Sequence, residues 1–322
     1  MKILFPVSAI VCAASLAAAP FLAQAQVAQA QVAQPSARSN ASMPPAPPAQ
    51  QAPPAQQIAP TAQELSFGSH PLQRMDFYRS SAQGARPLIL FVHGGAWIGG
   101  DKSDSTGSAK IRHYTQSGYQ LASVNYRLLP EVDIEHQADD VAAALAALLE
   151  QSRELNIDTR QIVLMGHSAG AHLAALVATD PRFLKRYGLT PGDIGGVVLL
   201  DGAAYDVPSQ IVDAGPLLGF AYQIAFGSAQ ARQLSLSPAN HATGDNARDF
   251  LLLHVERPEA ERQARRFANA LQGSGTRVSV AQVPGRGMDG HNMINAMLGR
   301  SDSQATPIVD QWLAGLFAAP TY

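Results

Sequence analysis

The sequence Ile162-Val-Leu-Met-Gly-His-Ser-Ala-Gly170 connects a short apolar run to a segment with the composition of a helix. The apolar run is typical of a strand buried on both faces, and the helix is predicted over Ala169–Thr179. Between them stands a Gly-x-Ser-x-Gly motif, in the strand-turn-helix context that makes this motif a nucleophile elbow. Such a turn places a serine hydroxyl above the sheet edge, beside the first N–H groups of the helix. Ser168 is therefore the predicted nucleophile, whereas outside this context it would be an ordinary helix cap.

Similar apolar runs recur on both sides of this motif, with helical patterns between them. The further predicted strands are Pro87–Val92, Gln120–Tyr126, Val197–Leu200, Phe250–His254 and Val278–Val283. The further predicted helices are His136–Arg153, Glu259–Leu271 and Ile308–Phe317. This alternation predicts an α/β fold with a mostly parallel central sheet, helices on both faces and sites at the carboxyl ends of the strands. Residues Ala203–Asn246 interrupt the alternation with several Pro and Gly residues and no clear strand, which indicates a small cap insertion.

A second glycine motif, His93-Gly-Gly-Ala-Trp97, directly follows the first of these strands. Adjacent glycines allow backbone N–H groups to approach a substrate oxygen closely. In the elbow arrangement one donor comes from the residue after the nucleophile, here Ala169, and others come from a loop after an earlier strand. We therefore predict an oxyanion hole formed by Gly94, Gly95 and Ala169. Trp97 is predicted either to form a wall of the substrate pocket or to fill the core.

The general base should follow the nucleophile in the chain, because enzymes with this elbow have the order serine, acid, histidine. Four histidines follow Ser168. His172 is expected to pack below the nucleophile, His254 to lie in the core, and His241 to lie in the insertion. His291 follows the last predicted strand in a glycine-rich segment, and a loop at the sheet edge there can carry an imidazole to the serine. We therefore predict His291 as the base.

Three carboxylates compete for the role of the triad acid. Glu256 lies after the strand Phe250–His254 and before Pro258, in the loop where the acid of this arrangement belongs. Glu259 lies in the first turn of the helix that Pro258 begins, where the helix dipole already explains a carboxylate. Asp201 follows the preceding strand. Glu256 is the predicted acid, with Glu259 and Asp201 as alternatives.

Together these motifs resemble the α/β-hydrolase superfamily over about residues 71–317. Within it the chain is similar to carboxylesterases with an HGGxW loop, a group that has feruloyl-esterase-like and arylformamidase-like members. The residues that carry the resemblance are His93-Gly-Gly-Ala-Trp97, Gly100-Asp-Lys102, Asn125-Tyr-Arg127, Gly166-His-Ser-Ala-Gly170 and His291. The family pattern places the base at His291. It also places the acid, usually Asp in a His-Gly-x-x-Asp pattern, in the loop that here reads His254-Val-Glu-Arg-Pro258.

The resemblance implies a two-step acyl transfer on a small-molecule ester, with neither a metal nor an organic cofactor. Ser168 would attack the ester carbonyl, and His291 would remove its proton and later protonate the leaving alcohol. The acid would fix the imidazole tautomer and stabilise the imidazolium. Three alternatives stay open: an arylformamidase-type amide hydrolase, an acetyl or feruloyl esterase acting on plant polysaccharide, and a non-catalytic binding protein on a hydrolase fold.

The N-terminal sequence has the features of an export signal. Lys2 is followed by an apolar run over Ile3–Leu22 and by Ala23-Gln-Ala25, a small-x-small pattern typical of signal-peptide cleavage. We expect residues 1–25 to be a signal peptide and the mature protein to be periplasmic or secreted. An uncleaved anchor helix is the alternative, because the run is near the length of a membrane span.

The next segment, residues 26–62, is rich in Ala, Pro and Gln, with Arg38 as its single charged residue. Such a composition offers no apolar face to bury and predicts a disordered tether. The hydrolase domain is expected over residues 63–322, with the cap insertion at about 203–246.

Charge and cysteine content exclude several classes of function. Lys and Arg number 23 and Asp and Glu number 25, a net charge of −2. The charges form no blocks of like sign, which argues against a nucleic-acid-binding surface and a basic membrane patch. The hydrophobic fraction of 46% is enough for a large core. The single cysteine, Cys12, rules out internal disulfides and cysteine-rich zinc sites.

Overall fold

The strands of the described chain, residues 60–318 of a computed structural model, form one eight-stranded sheet. The expected signal peptide and residues 26–59 of the expected tether lie outside the described residues. The strands are Gln63–Ser66 (β1), Arg74–Tyr78 (β2), Arg86–Val92 (β3), Gln120–Val124 (β4), Ile157–His167 (β5), Gly196–Leu200 (β6), Asp249–Glu256 (β7) and Arg277–Arg286 (β8).

The strand order across the sheet is β1-β2-β4-β3-β5-β6-β7-β8. β1 and β2 are antiparallel to their neighbours, and every pair from β4 to β8 is parallel. The predicted α/β fold with a mostly parallel sheet is therefore confirmed. The sequence patterns do not predict β1 and β2, because these short strands carry polar residues and lack a continuous apolar run.

Helices follow most of the strands. They are Lys102–Thr106 (α1), Ser108–Gln116 (α2), Ile134–Glu150 (α3), Ser152–Leu155 (α4), Ala169–Thr179 (α5), Pro181–Lys185 (α6), Val207–Asp213 (α7), Gly215–Phe226 (α8), Gln230–Ser235 (α9), Pro238–His241 (α10), Pro258–Gly273 (α11), Gly287–Ala296 (α12) and Ala305–Ala318 (α13), with a short 3-10 turn at Pro191–Asp193. None of the helices in the described range is long and apolar enough to cross a membrane.

Two apolar cores lie on opposite faces of the sheet. Side chains alternate along each strand, so Leu88 and Leu90 of β3 enter one core and Ile89 and Phe91 enter the other. Helices α3, α5 and α11 cover the first core, and α2, α12 and α13 cover the second. This packing fixes the position of α5, which begins at the elbow, and of α12.

The predicted insertion between β6 and β7 is helical and consists of α7 to α10. Its longest helix, α8, contains no charged residue. Phe226 of α8 is buried in the first core, whereas Phe220 and Ile224 are 57% and 60% exposed. One side of α8 thus packs against the core of the sheet, and its other side exposes apolar residues.

The parallel strands end together at one edge of the sheet. In the strand register Val92 is paired with Gly166, His167 with Leu200, and Leu200 with Leu253. The segments that follow β3, β5, β6, β7 and β8 consequently lie next to each other at this carboxyl edge, where sites form in open α/β sheets.

Candidate active site

Ser168 occupies a strained turn between β5 and α5. Its backbone has φ 56° and ψ −121°, a conformation that costs free energy in a non-glycine residue and is often found at functional sites. The flanking residues must be glycines, because the neighbouring backbone leaves no room for a Cβ. A Cβ at Gly166 would lie 2.3 Å from the carbonyl oxygen of Gly170, and a Cβ at Gly170 would lie 2.2 Å from the carbonyl oxygen of Val92. The local sequence therefore imposes the elbow that the motif predicts.

Backbone strain gathers at this edge of the sheet. Apart from Asn156, the non-glycine residues with positive φ in the described chain belong to the segments after β3, β5 and β6. They are Ala96, Trp97, Ser168, Asp201 and Ala204. Strain of this kind persists only where the surrounding structure holds it, and it is commonly associated with function.

The imidazole of His291 lies beside the serine hydroxyl. His291 Nε2 is 3.0 Å from Ser168 Oγ, and Nδ1 is 2.6 Å from Asp201 Oδ2. A carboxylate only accepts, so Nδ1 donates to Asp201 and Nε2 is left to accept the serine proton. His291 lies in the second turn of α12 and not in a loop, because β8 continues to Arg286 and the helix begins at Gly287. The expected loop is thus replaced by a helix that still brings the ring to Ser168.

The carboxylate next to His291 belongs to Asp201. The prediction that Glu256 occupies this position is wrong. β7 does not end at His254 but continues through Glu256, which is paired with Arg286 of β8. The Glu256 side chain points outward, 54% exposed, and forms an ion pair with Arg286. It is not among the groups that contact the His291 ring in the described structure.

Asp201 is held at the end of β6 by the neighbouring strand. Its N–H donates to the carbonyl of Leu253 at 2.7 Å, and its Oδ1 accepts the N–H of Val255 at 3.0 Å. The side chain is fully buried. The pKa of Asp201 is nevertheless lowered, because the opposing effect of burial is outweighed by the hydrogen bond from His291, the charge of Arg257 and the Val255 N–H.

The second alternative, Glu259, also lies away from the imidazole. Its Oε1 accepts a hydrogen bond from Arg257 Nε at 3.0 Å. Arg257 in turn donates from Nη1 to Asp201 Oδ2 at 2.5 Å, and the same nitrogen lies 2.7 Å from His291 Nδ1. Arg257 is not among the site residues predicted from the sequence. Its place directly after β7, at the edge that carries the site, is the signal that could have marked it.

In the loop after β3, the carbonyl groups of His93, Gly94 and Gly95 all accept hydrogen bonds from the protein. Tyr126 donates to the His93 carbonyl at 2.9 Å, and His93 Nδ1 donates to the Gly94 carbonyl at 2.7 Å. The Gly95 carbonyl accepts the N–H groups of Ile98 and Gly99. A Cβ at Gly94 would lie 3.0 Å from Ser168 Cβ, which places this backbone against the nucleophile. This arrangement is consistent with the predicted donors Gly94 and Gly95.

Ala169 is the first residue of α5, so its N–H has no acceptor within the helix. The first hydrogen bonds of the helix run from the N–H groups of Ala171 and His172 to the carbonyl of Ser168. The N–H of Ala169 is therefore at the helix N-terminus and adjacent to Ser168, as the predicted third donor of an oxyanion hole requires.

Trp97 lies under the cap. Its side chain is 5% exposed, and its ring packs edge-on against His172 at 5.5 Å and Phe226 at 4.9 Å between centroids. It also approaches Tyr222 at 5.9 Å. Trp97 thus connects the loop after β3 to helix α8 of the insertion, and its role as a pocket wall stays a prediction.

His167, the variable residue of the elbow motif, contacts the base from below. Its ring centroid is 4.6 Å from that of His291, and its Nε2 is 2.8 Å from the His291 carbonyl. Burial lowers the pKa of His167 to about 3. The ring is therefore neutral near pH 7, and Nε2 is the nitrogen that donates. The sequence motif allows any residue at position 167, so only its place next to Ser168 indicates a role for His167.

Comparison with known proteins supports the assignment of the fold and its group. The BD-FAE family model matches residues 75–186. Kynurenine formamidase of Danio rerio is 27% identical over 226 residues, which cover 69% of this chain and 73% of that protein. Isoprenylcysteine alpha-carbonyl methylesterase of Arabidopsis thaliana is 33% identical over 112 residues, which cover 34% of this chain and 26% of that protein. This chain thus spans only about a quarter of the plant relative.

Solved esterase structures share the fold. Esterase 2 of Thermogutta terrifontis, phosphonylated by sarin, has a TM-score of 0.68 at 20% identity and covers 82% of this chain and 98% of its own. Esterase B of Lactobacillus rhamnosis has a TM-score of 0.66 at 20% identity and covers 81% of this chain and 87% of its own. The resemblance inferred from the HGGAW and GHSAG motifs is confirmed.

Proposed function

We propose that this α/β-hydrolase of the carboxylesterase and arylformamidase-like group cleaves carboxylic esters through a serine acyl-enzyme, with Ser168, His291 and Asp201 as its triad. One observation carries the proposal. Ser168 Oγ, the two nitrogens of His291 and Asp201 Oδ2 form one hydrogen-bonded series, with separations of 3.0 and 2.6 Å. Nucleophile, base and orienting acid are linked in the order that triad catalysis needs.

Each group has one task in the reaction. Ser168 Oγ attacks the ester carbonyl while His291 Nε2 takes the hydroxyl proton, and buried Asp201 stabilises the imidazolium that forms. The N–H groups of Gly94, Gly95 and Ala169 bind the oxyanion of the tetrahedral intermediate. His291 then returns the proton to the leaving alcohol, and a water molecule releases the acyl group by the same route.

The test is the pair wild type and Ser168→Ala on p-nitrophenyl acetate. We expect kcat to fall by about 10⁶-fold in the variant while its circular dichroism spectrum and melting temperature stay close to those of wild type. A fluorophosphonate probe should label wild type at Ser168 and leave the variant unlabelled. Ordinary turnover by folded Ser168→Ala would refute the acyl-enzyme mechanism, and an unlabelled, inactive wild type would favour a non-catalytic binding protein.

A formamide is the second candidate substrate. The similarity to the zebrafish kynurenine formamidase extends over 69% of this chain, about twice the share covered by the plant methylesterase. The same triad can attack a formyl carbonyl, with an amine as the leaving group. The ratio of kcat/KM for N-formylkynurenine to that for p-nitrophenyl acetate separates the two reactions. Acetylated xylan and methyl ferulate in the same series test the polysaccharide esterase.

We also propose export of the protein, on the basis of the apolar run and the small-x-small pattern that ends at Ala25. The full chain should be expressed in a bacterium with a periplasm and the recovered protein sequenced from its N-terminus. A mature protein that starts at Gln26 supports cleavage, and a protein that retains residues 1–25 in the membrane fraction supports the anchor.

A further inference from the structure

Arg257 makes three contacts at the acid end of the triad. Nη1 donates to Asp201 Oδ2 at 2.5 Å and lies 2.7 Å from His291 Nδ1, while Nε donates to Glu259 Oε1 at 3.0 Å. Only 12% of its side chain is exposed. Two donors, one cationic and one belonging to the base, thus converge on a single oxygen of Asp201.

A fully buried carboxylate needs a compensating charge, because burial without one favours the protonated form. The titratable and charged groups that act on Asp201 in the described chain are His291 of α12, His167 of β5, Arg257 after β7 and Tyr205 after β6. Burial lowers the pKa of His167 to about 3 and raises that of Tyr205, so both are neutral near pH 7.

His291 must itself be neutral before the reaction, because it acts as a base. This leaves Arg257 as the cation next to Asp201 within the described residues. The guanidinium is always protonated, so its charge does not vary in the working pH range.

We propose that Arg257 is a positioning residue of the triad, which keeps Asp201 ionised and holds its Oδ2 toward His291 Nδ1. Glu259 fixes the guanidinium through Nε and so determines which nitrogen reaches Asp201. The proposal rests on the proposed esterase function, in which Asp201 is the acid.

Two effects of the guanidinium oppose each other during catalysis. Its positive charge disfavours the imidazolium that forms on His291, 2.7 Å away. It also keeps Asp201 ionised and in place, and this carboxylate stabilises the imidazolium. The second effect should dominate, because without an ionised acid the imidazole loses both its tautomer and its partner, at a cost of about 10⁴-fold in kcat.

The experiment compares wild type, Arg257→Met and Arg257→Lys on p-nitrophenyl acetate from acid to alkaline pH, read at the isosbestic wavelength of p-nitrophenol. Arg286→Met is the matched control, because Arg286 is an arginine at the same sheet edge that pairs with Glu256 and is 82% exposed.

In Arg257→Met we expect kcat near neutral pH to fall by at least about tenfold, and by less than the ~10⁴-fold loss that removal of the acid causes. The acidic limb of kcat/KM should move to higher pH, because loss of the guanidinium favours protonation of the hydrogen-bonded pair of Asp201 and His291. KM should change less than kcat, since the contacts of Arg257 are with Asp201, His291 and Glu259. Arg257→Lys should keep the limb near its wild-type position, and Arg286→Met should behave as wild type.

Two results would overturn the proposal: an Arg257→Met enzyme with wild-type kcat and an unmoved acidic limb, or a loss of kcat that is equal at all pH values. If Arg257→Met does not fold, Arg257→Lys and Glu259→Gln decide. Both retain the positive charge but loosen its position, so a wild-type kcat in both would also overturn it. A wild type without Ser168-dependent turnover would instead refute the proposed function, and that outcome is independent of the Arg257 variants.

Discussion

The side chain of His167 supports the main chain of His291. Its Nε2 donates to the His291 carbonyl at 2.8 Å, and the two rings lie 4.6 Å apart at an angle of 37°. These residues are 124 positions apart in the sequence, one at the end of β5 and the other in α12. The elbow that carries Ser168 therefore also fixes the helix turn that carries His291.

This contact predicts that His167→Phe, which keeps a ring but removes the donor, lowers kcat by ~10-fold to ~100-fold by displacing the base. Loss of this buried hydrogen bond should cost about 1 kcal/mol of stability, because the His291 carbonyl keeps its place in the α12 helix. His172→Phe is the matched control, because His172 is also buried and donates one hydrogen bond, to the Leu236 carbonyl at 2.9 Å. The two variants should lose similar melting temperature. Equal losses of kcat in both would contradict a specific role of His167.

The identity of the acid is tested by Asp201→Asn and Glu256→Gln. An amide at position 201 can favour the wrong tautomer of His291 and cannot stabilise the imidazolium, so kcat should fall by about 10⁴-fold. Glu256→Gln removes only an exposed ion pair, worth up to about 1 kcal/mol of stability, and should leave kcat/KM unchanged. A strong loss of kcat/KM in Glu256→Gln with an active Asp201→Asn would restore the choice made from the sequence.

The predicted role of Gly94 in the oxyanion hole is tested by adding one methyl group at this position. In Gly94→Ala the new Cβ would lie 3.0 Å from Ser168 Cβ and 3.1 Å from the His167 carbonyl oxygen, which forces the backbone donors away from the nucleophile. We expect a loss of kcat of ~10²-fold to ~10³-fold, the size associated with one oxyanion donor. Gly99→Ala in the same loop is the control, since its Cβ has an ordinary contact of 3.9 Å. Similar kcat values for both variants would exclude Gly94 from the site.

Asp101, which follows the glycine loop at His93–Trp97, should make the stability of the protein depend on pH. Asp101 caps α1, and although burial raises its pKa, hydrogen bonds from Ser103 and Asn125 and the charge of Lys102 lower it to about 2. Because the folded-state pKa lies below the ordinary 3.8, its contribution is complete above about pH 4 and is lost as pH falls toward 2.

Asp101→Ala should therefore reduce the free energy of unfolding by about 1 kcal/mol at pH 7, and the difference from wild type should vanish near pH 2. Urea unfolding at several pH values measures it. Asp104→Ala, an exposed carboxylate in the same helix, is the control and should show a smaller difference. A constant difference between wild type and Asp101→Ala from pH 7 to pH 2 would contradict the capping role.

Local sequence was sufficient to determine the strained turn at Ser168 and its surroundings. The elbow at Ser168 and the glycine loop at Gly94 depend on steric limits of a few adjacent residues, so their motifs predict both conformation and position. The apolar runs determined the parallel sheet in the same way, because strands buried on both faces need continuous hydrophobic sequence. The position of His291 beside Ser168 could be predicted because it follows the last strand, although the helix around it could not.

Tertiary structure alone decided which carboxylate lies next to His291. Asp201 and Glu259 follow strands at the carboxyl edge and Glu256 is the last residue of β7, and the pairing of the strands decides which of the three reaches His291. The apolar run ends at His254, yet pairing with β8 extends the strand to Glu256, which turns that side chain to solvent and the N–H of Val255 to Asp201. Hydrogen bonding between strands fixes this register, and the pattern of apolar residues within one strand does not encode it.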